Sequence, residues 1–127
     1  MSFGNLAVSA SSPGTAILSP SGTRTAGGGG GVTLPATTGT VTAASFNVSG
    51  QANYTYAITL PATCTINDGG GNTLVANAFT SIPATSGVLS SSGSQTLNVG
   101  ATLNLGAGQP PGSYSNATGL PVTVNYN

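Results

Sequence analysis

The chain has 127 residues, of which 38% are hydrophobic and 2% are charged, and it contains no histidine. This length suits one domain, residues 1–127, that buries a core, whereas a usual charged fraction is about 25%. Arg24 and Asp68 are the only ionised side chains, and one arginine cannot neutralise phosphates or hold an anionic membrane surface, so nucleic-acid partners are excluded. No apolar run approaches the roughly 18 residues of a spanning helix, so we expect no membrane insertion.

Short apolar runs with period-two alternation fill the N-terminal half, and turns separate them. The opening run is weak: Phe3 precedes an alternation of Leu6, Val8 and Ala10. Five consecutive glycines, Gly27–Gly31, predict a loop or a place where another backbone approaches closely. The further strands predicted in this half lie at residues 15–19, 32–34, 40–48 and 54–60.

The C-terminal half contains the two clearest alternating patterns. Residues 95–105 place Leu97, Val99, Ala101, Leu103 and Leu105 on one face, which predicts a long strand with one buried side. The last eight residues alternate in the same way, with Leu120, Val122, Val124 and Tyr126 on one face. Between the two halves, the loop 67–72 predicts a hairpin that joins strands at 64–66 and 74–80, and residues 87–89 form a short strand.

These patterns favour an all-β fold. No window shows the i, i+3, i+4 apolar spacing of a helix, and turn signals recur every 8 to 12 residues. Roughly eight or nine short strands indicate a sandwich or a barrel.

Groups that could perform chemistry are few. Without histidine or glutamate, general acid–base catalysis has no partner for Asp68 or Cys64, so we expect no enzyme. The loop around Asp68 offers calcium one carboxylate where several are needed, and we expect no metal or other cofactor. Cys64 has no partner for an intramolecular disulfide, and an inert core thiol is favoured over an intermolecular bond. Arg24 could pair with Asp68, although two exposed loop charges would contribute little.

Several short segments, taken in order, resemble one family. They are Phe3–Gly4, Ser19–Arg24, Gly31–Leu34, Ala44–Phe46, Val48–Gly50, Tyr56–Pro61, Val99–Leu103, Gln109, Gly112–Tyr114 and Val122–Asn127. Together they resemble the DUF4402 family of secreted bacterial β proteins, and the resemblance spans nearly the whole chain. Members of that family are similar to subunits of chaperone–usher pili, including the archaic type that resembles spore coat protein U.

The resemblance implies an incomplete immunoglobulin-like sandwich that a strand from a neighbouring subunit completes. In such pilins the C-terminal strand borders the acceptor groove and carries a penultimate tyrosine, which corresponds to Tyr126. The expected groove residues are therefore Leu120, Val122, Val124 and Tyr126, with a possible N-terminal interface at Phe3, Leu6 and Val8. The implied role is a structural subunit of an exported, extracellular filament on the cell surface. It would polymerise head-to-tail with itself, with a periplasmic chaperone and an outer-membrane usher as further partners, and would support adhesion or biofilm formation.

One departure from the family pattern concerns the donor strand. Relatives usually begin with an alternating apolar segment before the Phe-Gly pair, and here only Met1 and Ser2 precede Phe3. Either the chain is truncated or a different segment completes the neighbour. A second departure is Gly112, which lies two residues too far from the C-terminus, as though residues 116–121 contained a two-residue bulge.

Two other functions stay open. A monomeric cell-surface adhesin or carbohydrate-binding module would use exposed tyrosines and asparagines in loops, although the chain has no tryptophan. An ice- or surface-binding protein would need threonine pairs at a regular period, and the threonine pairs recur at none.

Overall fold

The computed structural model describes residues 1–127 and confirms the all-β prediction: the chain forms thirteen strands and no helix. The strands are β1 (Ser2–Phe3), β2 (Ala7–Val8), β3 (Gly14–Leu18), β4 (Arg24–Gly27), β5 (Val32–Thr33), β6 (Val41–Thr42), β7 (Ala44–Ser49), β8 (Thr55–Thr59), β9 (Thr63–Asn67), β10 (Thr73–Ile82), β11 (Ser86–Val88), β12 (Ser94–Leu105) and β13 (Thr123–Tyr126). The structure contains no helix that is long and apolar enough to cross a membrane.

The predicted long strand at 95–105 is confirmed as β12, around which the largest sheet forms. The sheet has the order β4-β3-β12-β10-β9, and β7 also pairs with β12. One edge of β12 carries β10, and the other edge is shared by β7, opposite Ser94–Val99, and β3, opposite Ala101–Leu105. The five predicted core residues of β12 are all buried. Period-two alternation therefore identified the face of this strand that turns inward.

A second sheet, ordered β11-β8-β13, packs its inner face against the first. The core between them combines buried residues of β7 and β12 with Tyr56 of β8 and with Leu89, which follows β11. Tyr56 is completely buried, and its hydroxyl donates a hydrogen bond to Gln95 Oε1 at 2.8 Å. A buried phenol needs such a partner because an unpaired polar group in the core is costly. The two antiparallel sheets thus form a sandwich.

A second core cluster lies beside the first, where β3, β10 and β12 meet. Leu103 and Leu105 of β12 pack there with Leu74 and Ala76 of β10. The side chain of Phe79 packs against both clusters and so links them. Two small sheets, β1-β6 and β2-β5, place the N-terminal segment against this second cluster.

The C-terminal strand is shorter than its alternation predicts. Apolar and polar residues alternate from Leu120, but β13 pairs with β8 only from Thr123, opposite Thr59, to Tyr126. Continuing that antiparallel register would set Pro121 opposite Pro61. Proline has no N–H, so neither residue could donate to the ladder. The pairing therefore stops at Thr123, and Leu120 and Val122 precede the paired residues.

Strand pairing also differs from sequence order. The predicted strand at 40–48 divides into β6 and β7, which belong to different sheets. The strand predicted at 54–60 is present as β8, but it pairs with β11 and β13 rather than with its sequence neighbours β7 and β9. The hairpin predicted around the loop 67–72 is confirmed by the pairing of β9 with β10.

The run of glycines serves both purposes that its sequence suggested: Gly28–Gly31 form a loop, and another backbone approaches it closely. A Cβ atom on Gly31 would lie 2.0 Å from the carbonyl oxygen of Ser12 and 2.4 Å from that of Pro13. Both contacts involve main chain, which cannot rotate away. The segment before β3 therefore packs directly on the glycine backbone.

We expect Gly31→Ala to lower the free energy of unfolding by about 1–3 kcal/mol, since the added methyl overpacks a rigid contact. Urea denaturation measures this change. Gly106→Ala is the matched control, because a Cβ there meets nothing closer than Gln109 Oε1 at 3.7 Å. Equal stability of the two variants would show that the segment before β3 can move aside.

Candidate functional site

One edge of β13 carries no partner strand. In an antiparallel ladder, successive residues direct their main-chain N–H and C=O groups alternately toward the partner and away from it. The N–H of Asn127 donates to the C=O of Thr55 at 3.1 Å, so residues 123, 125 and 127 face β8. Val124 and Tyr126 consequently direct their main-chain groups to the free edge. We extend the same alternation to Val122, which directly precedes β13.

The opposite edge of β8 leads to the same assignment. The N–H of Ile58 donates to the C=O of Thr85 at 2.9 Å, so the main chain of Ile58 faces β11. Val124 lies opposite Ile58 in the ladder, as a pair that exchanges no main-chain hydrogen bonds. The main-chain N–H and C=O groups of both residues therefore point away from each other. The free edge of β13 thus offers unpaired donors and acceptors.

Strand β7 presents a second free edge. It pairs only with β12, and the N–H of Gly50 donates to the C=O of Gly93 at 2.8 Å. By the same alternation, Ser45, Asn47 and Ser49 direct their main chain away from β12. Their side chains are exposed, whereas the side chains of the residues between them turn toward the core.

An apolar groove of about 290 Å³ lies between these two edges. Phe46 and Val48 of β7 line one wall, Val122 and Val124 line the other, and Leu97 of β12 also lines it. Val122 and Val124 are half-buried and pack against the core cluster between the two sheets. No charged residue touches the groove. The groove therefore combines a mainly apolar lining, to which Asn47 and Ser49 also contribute, with two edges of unpaired main chain.

Tyr126 closes one end of the groove. Its hydroxyl donates to the main-chain oxygen of Ser49, which joins β13 to β7 across the gap. Its ring meets that of Tyr56 edge to face, with centroids 6.5 Å apart. The Tyr126 side chain is nevertheless 51% exposed. The predicted groove residue is therefore the one that bridges the two edges.

A larger cavity of about 900 Å³ adjoins the other end of the C-terminal segment. Leu120 lines this cavity rather than the groove, together with Phe3, Leu6 and Val8. These three N-terminal side chains are half-buried against the core cluster of their own chain. Their role as an interface stays a prediction, because in the single chain they already cover that cluster.

The only arginine holds the N-terminal segment in place. Arg24 Nη1 donates to the carbonyl oxygen of Phe3 at 2.5 Å and to that of Asn5 at 2.7 Å. The suggested pairing of Arg24 with Asp68 is wrong, since Asp68 accepts hydrogen bonds within its own loop. Its carboxylate oxygens accept from Asn72 Nδ2 at 2.6 Å and from the N–H of Gly70 at 2.8 Å.

Cys64 lies at the wall of the large cavity. It is half-buried rather than fully buried, and it packs against the second core cluster. Asn116 Nδ2 donates to its sulfur at 2.7 Å. The same asparagine also bonds Thr118 and Gly119, forming a tight turn inside the 116–121 segment where a two-residue bulge was expected.

The two groups whose pKa the fold shifts lie at opposite ends of the pH scale. The hydrogen bond from the Asn72 side chain, aided by the Gly70 N–H, lowers the pKa of Asp68 below its ordinary 3.8. Burial raises the pKa of Tyr56 above its ordinary 10.0, and the neighbouring Tyr126 raises it further. The Asp68 contribution to stability is present above pH 3.8 and is lost as pH falls through the lowered value. The Tyr56 contribution is present below pH 10.0 and is lost as pH rises through the raised value.

We therefore expect the free energy of unfolding to be nearly constant between about pH 5 and pH 9 and to fall on the alkaline side. Urea denaturation at a series of pH values measures it. In Tyr56→Phe the alkaline decline should be weaker, although stability at neutral pH is lower because Gln95 loses its hydrogen-bond partner. A steep change near pH 7 would contradict this expectation.

Sequence reasoning identified one wall of the groove and missed the other. Val122, Val124 and Tyr126 were named as groove residues and do line this groove, whereas Phe46 and Val48 were predicted only to lie in a strand at 40–48. The alternation of β7 shows that one face is buried. It carries no sign of which strand edge stays unpaired, because pairing is set by distant parts of the chain.

Comparison with known proteins places the chain in a family. The family model DUF4402, described as a domain of unknown function, matches residues 1–126. A search of curated proteins and a search of solved structures each found no match. The match covers all but the last residue, so the chain belongs to the DUF4402 family.

Proposed function

We propose that this member of the DUF4402 family is a structural subunit of an extracellular bacterial filament, in which each copy accepts a strand from its neighbour. The observation that carries the proposal is the apolar groove between the free edges of β13 and β7. An incoming extended strand would satisfy the outward main-chain groups of Val122 and Val124 while its alternate side chains enter the groove. This is strand addition at an exposed sheet edge.

The composition of the groove supports a strand rather than a small molecule. Unpaired edges beside apolar surface are aggregation sites unless something covers them. The groove lacks the residues that usually protect a free sheet edge: β7 and β13 contain no lysine and no proline, and no charged side chain lines the groove. An edge left so unprotected is suited to being covered by another chain.

The geometry of such an assembly follows from the groove. The acceptor surface of one copy would meet a different, donor segment of the next copy, so the contact is head-to-tail. Contacts of this kind generate open filaments when the rotation does not close a ring. The two sheets then correspond to an immunoglobulin-like pilin fold, and the incoming strand completes it.

Export and assembly partners follow from the same proposal. An open groove would need covering before polymerisation, which is the task of a periplasmic chaperone, and an outer-membrane usher would release the growing filament. The filament would stand on the cell surface and support attachment or biofilm formation. A surface with two charges in 127 residues also favours association over repulsion between copies.

Negative-stain electron microscopy of the purified full-length protein, with size-exclusion chromatography alongside, tests the proposal. We expect filaments, or a ladder of oligomers that resists dilution. A monodisperse, heat-stable monomer of the full-length protein would overturn it.

A further inference from the structure

We propose that Tyr126 is a stop that ends the incoming strand and so fixes its register; this inference rests on the proposed function. The hydroxyl of Tyr126 donates to the carbonyl oxygen of Ser49. That oxygen is the last outward acceptor on the free edge of β7, because the main chain of Gly50 turns to Gly93. An incoming strand therefore finds this acceptor already occupied.

The ring of Tyr126 also occupies the space that a strand would need. A Cβ atom on Gly50 would lie 2.9 Å from Cε1 of Tyr126 and 3.0 Å from Cδ1 of Leu89. The ring thus lies directly on the backbone at the end of β7, where the glycine leaves space for it. No gap of strand width remains between Tyr126 and Gly50.

A third contact keeps the ring in this position. Tyr56 packs edge-on against it, and Tyr56 is itself completely buried and bonded to Gln95. A wall supported by a buried, hydrogen-bonded residue resists displacement better than an isolated surface side chain. The opposite end of the groove has no such bridge and leads toward the cavity at Leu120.

The consequence is a strand of limited length in a single register. It pairs with the outward groups of Val122 and Val124 and ends before those of Tyr126 and Ser49. Because a slip of one residue turns every side chain to the opposite face, a fixed end point gives every junction along a filament the same geometry.

Hydrogen exchange tests the stop residue by residue. Filaments of the full-length protein are exchanged in deuterated buffer, dissolved in a quenching solvent and read by NMR, with dissociated monomer as the reference. We expect the amides of Val122 and Val124 to exchange at least about tenfold more slowly in filaments. The amides of Ser49 and Tyr126 should exchange at the same rate in both states.

Two variants locate the cause. Tyr126→Ala removes the ring and the hydroxyl, and we expect protection to extend to residue 126 and Ser49. Tyr126→Phe keeps the ring, so protection should still end before residue 126, while the freed carbonyl of Ser49 becomes available.

Protection that already includes Ser49 and Tyr126 in the unmodified filament would overturn the stop and leave the proposed function standing. The same boundary in Tyr126→Ala would also overturn the stop. Unprotected Val122 and Val124 would overturn the stop and the proposed function together.

Discussion

Filaments should be absent when Val124 is replaced by arginine. Val124 directs its main chain to the free edge of β13 and its half-buried side chain into the groove, where no charged residue lies. An incoming strand would bury the guanidinium against Phe46 and Leu97 with no partner for its charge. Burying an unpaired charge costs several kcal/mol, and a loss of about 3 kcal/mol weakens association roughly 150-fold. The fraction that sediments as filaments, confirmed by electron microscopy, measures the effect.

Thr123→Arg is the matched control for Val124→Arg. Thr123 is the neighbouring residue of β13, its side chain is exposed, and its main chain bonds to β8 rather than to the free edge. It therefore adds the same charge to the same strand outside the groove, and we expect it to assemble normally. Thermal unfolding of both monomers shows whether the fold is retained. Normal filaments from a folded Val124→Arg protein would exclude the groove between β7 and β13 as the site of assembly.

Leu103→Ala should be the most destabilising single truncation in the second core cluster. Leu103 lies on the central strand β12, with Ala16 of β3 opposite it on one side and Ala76 of β10 on the other. Because both neighbours are alanine, the leucine side chain fills the space between them, and it is 3% exposed. Its removal leaves a cavity that two small residues cannot close. We expect the free energy of unfolding to fall by about 2–5 kcal/mol, a large part of the roughly 5–15 kcal/mol that holds a domain together.

Urea denaturation measures this loss, and Thr102→Ala is its control. Thr102 is the adjacent residue of β12 and lies on the outer face between Ile17 and Asn77. Its truncation should change stability by less than about 1 kcal/mol. Comparable losses in Thr102→Ala and Leu103→Ala would mean that β12 does not have one buried face and one outer face at this position.

The two predictions with the largest effects concern different properties of the protein, namely filament assembly and the stability of the monomer. Val124→Arg should remove assembly and leave the monomer folded, whereas Leu103→Ala should weaken the monomer itself. The distinction arises because Val124 lies at a free edge and Leu103 lies in a strand paired on both sides.

Sequence patterns predicted individual strands well where alternation was long. The inward face of β12 follows from its alternating leucines, valine and alanine, since a strand directs every second side chain to the same side. The hairpin of β9 and β10 follows from the glycine-rich loop between them, because its partners are close in sequence. The glycines at 27–31 were correctly expected to allow close backbone approach, and Gly31 meets Ser12 and Pro13.

Sequence patterns failed to predict where strand pairing begins when that depends on two segments far apart in the sequence. Residues 120–126 alternate continuously, yet the ladder begins only at Thr123, because continuing the register with β8 would set Pro121 opposite Pro61. Leu120 therefore reaches the large cavity instead of the groove. Neither proline reveals by itself that the other will lie opposite it.

By itself, the sequence determined the all-β class, the buried face of the longest strand, β12, and the near-absence of charge. These are local properties, set by the period of the side chains and by composition. Only the tertiary structure decided which strands pair, which edges of β7 and β13 stay free, and that the hydroxyl of Tyr126 reaches Ser49 across 77 residues of chain. Hydrogen bonds between strands involve main-chain groups that every non-proline residue carries, so side-chain identity alone does not select a strand's partner. The selection comes from packing two sheets around Tyr56, Leu89 and Leu97, and the groove is the edge that this packing leaves unpaired.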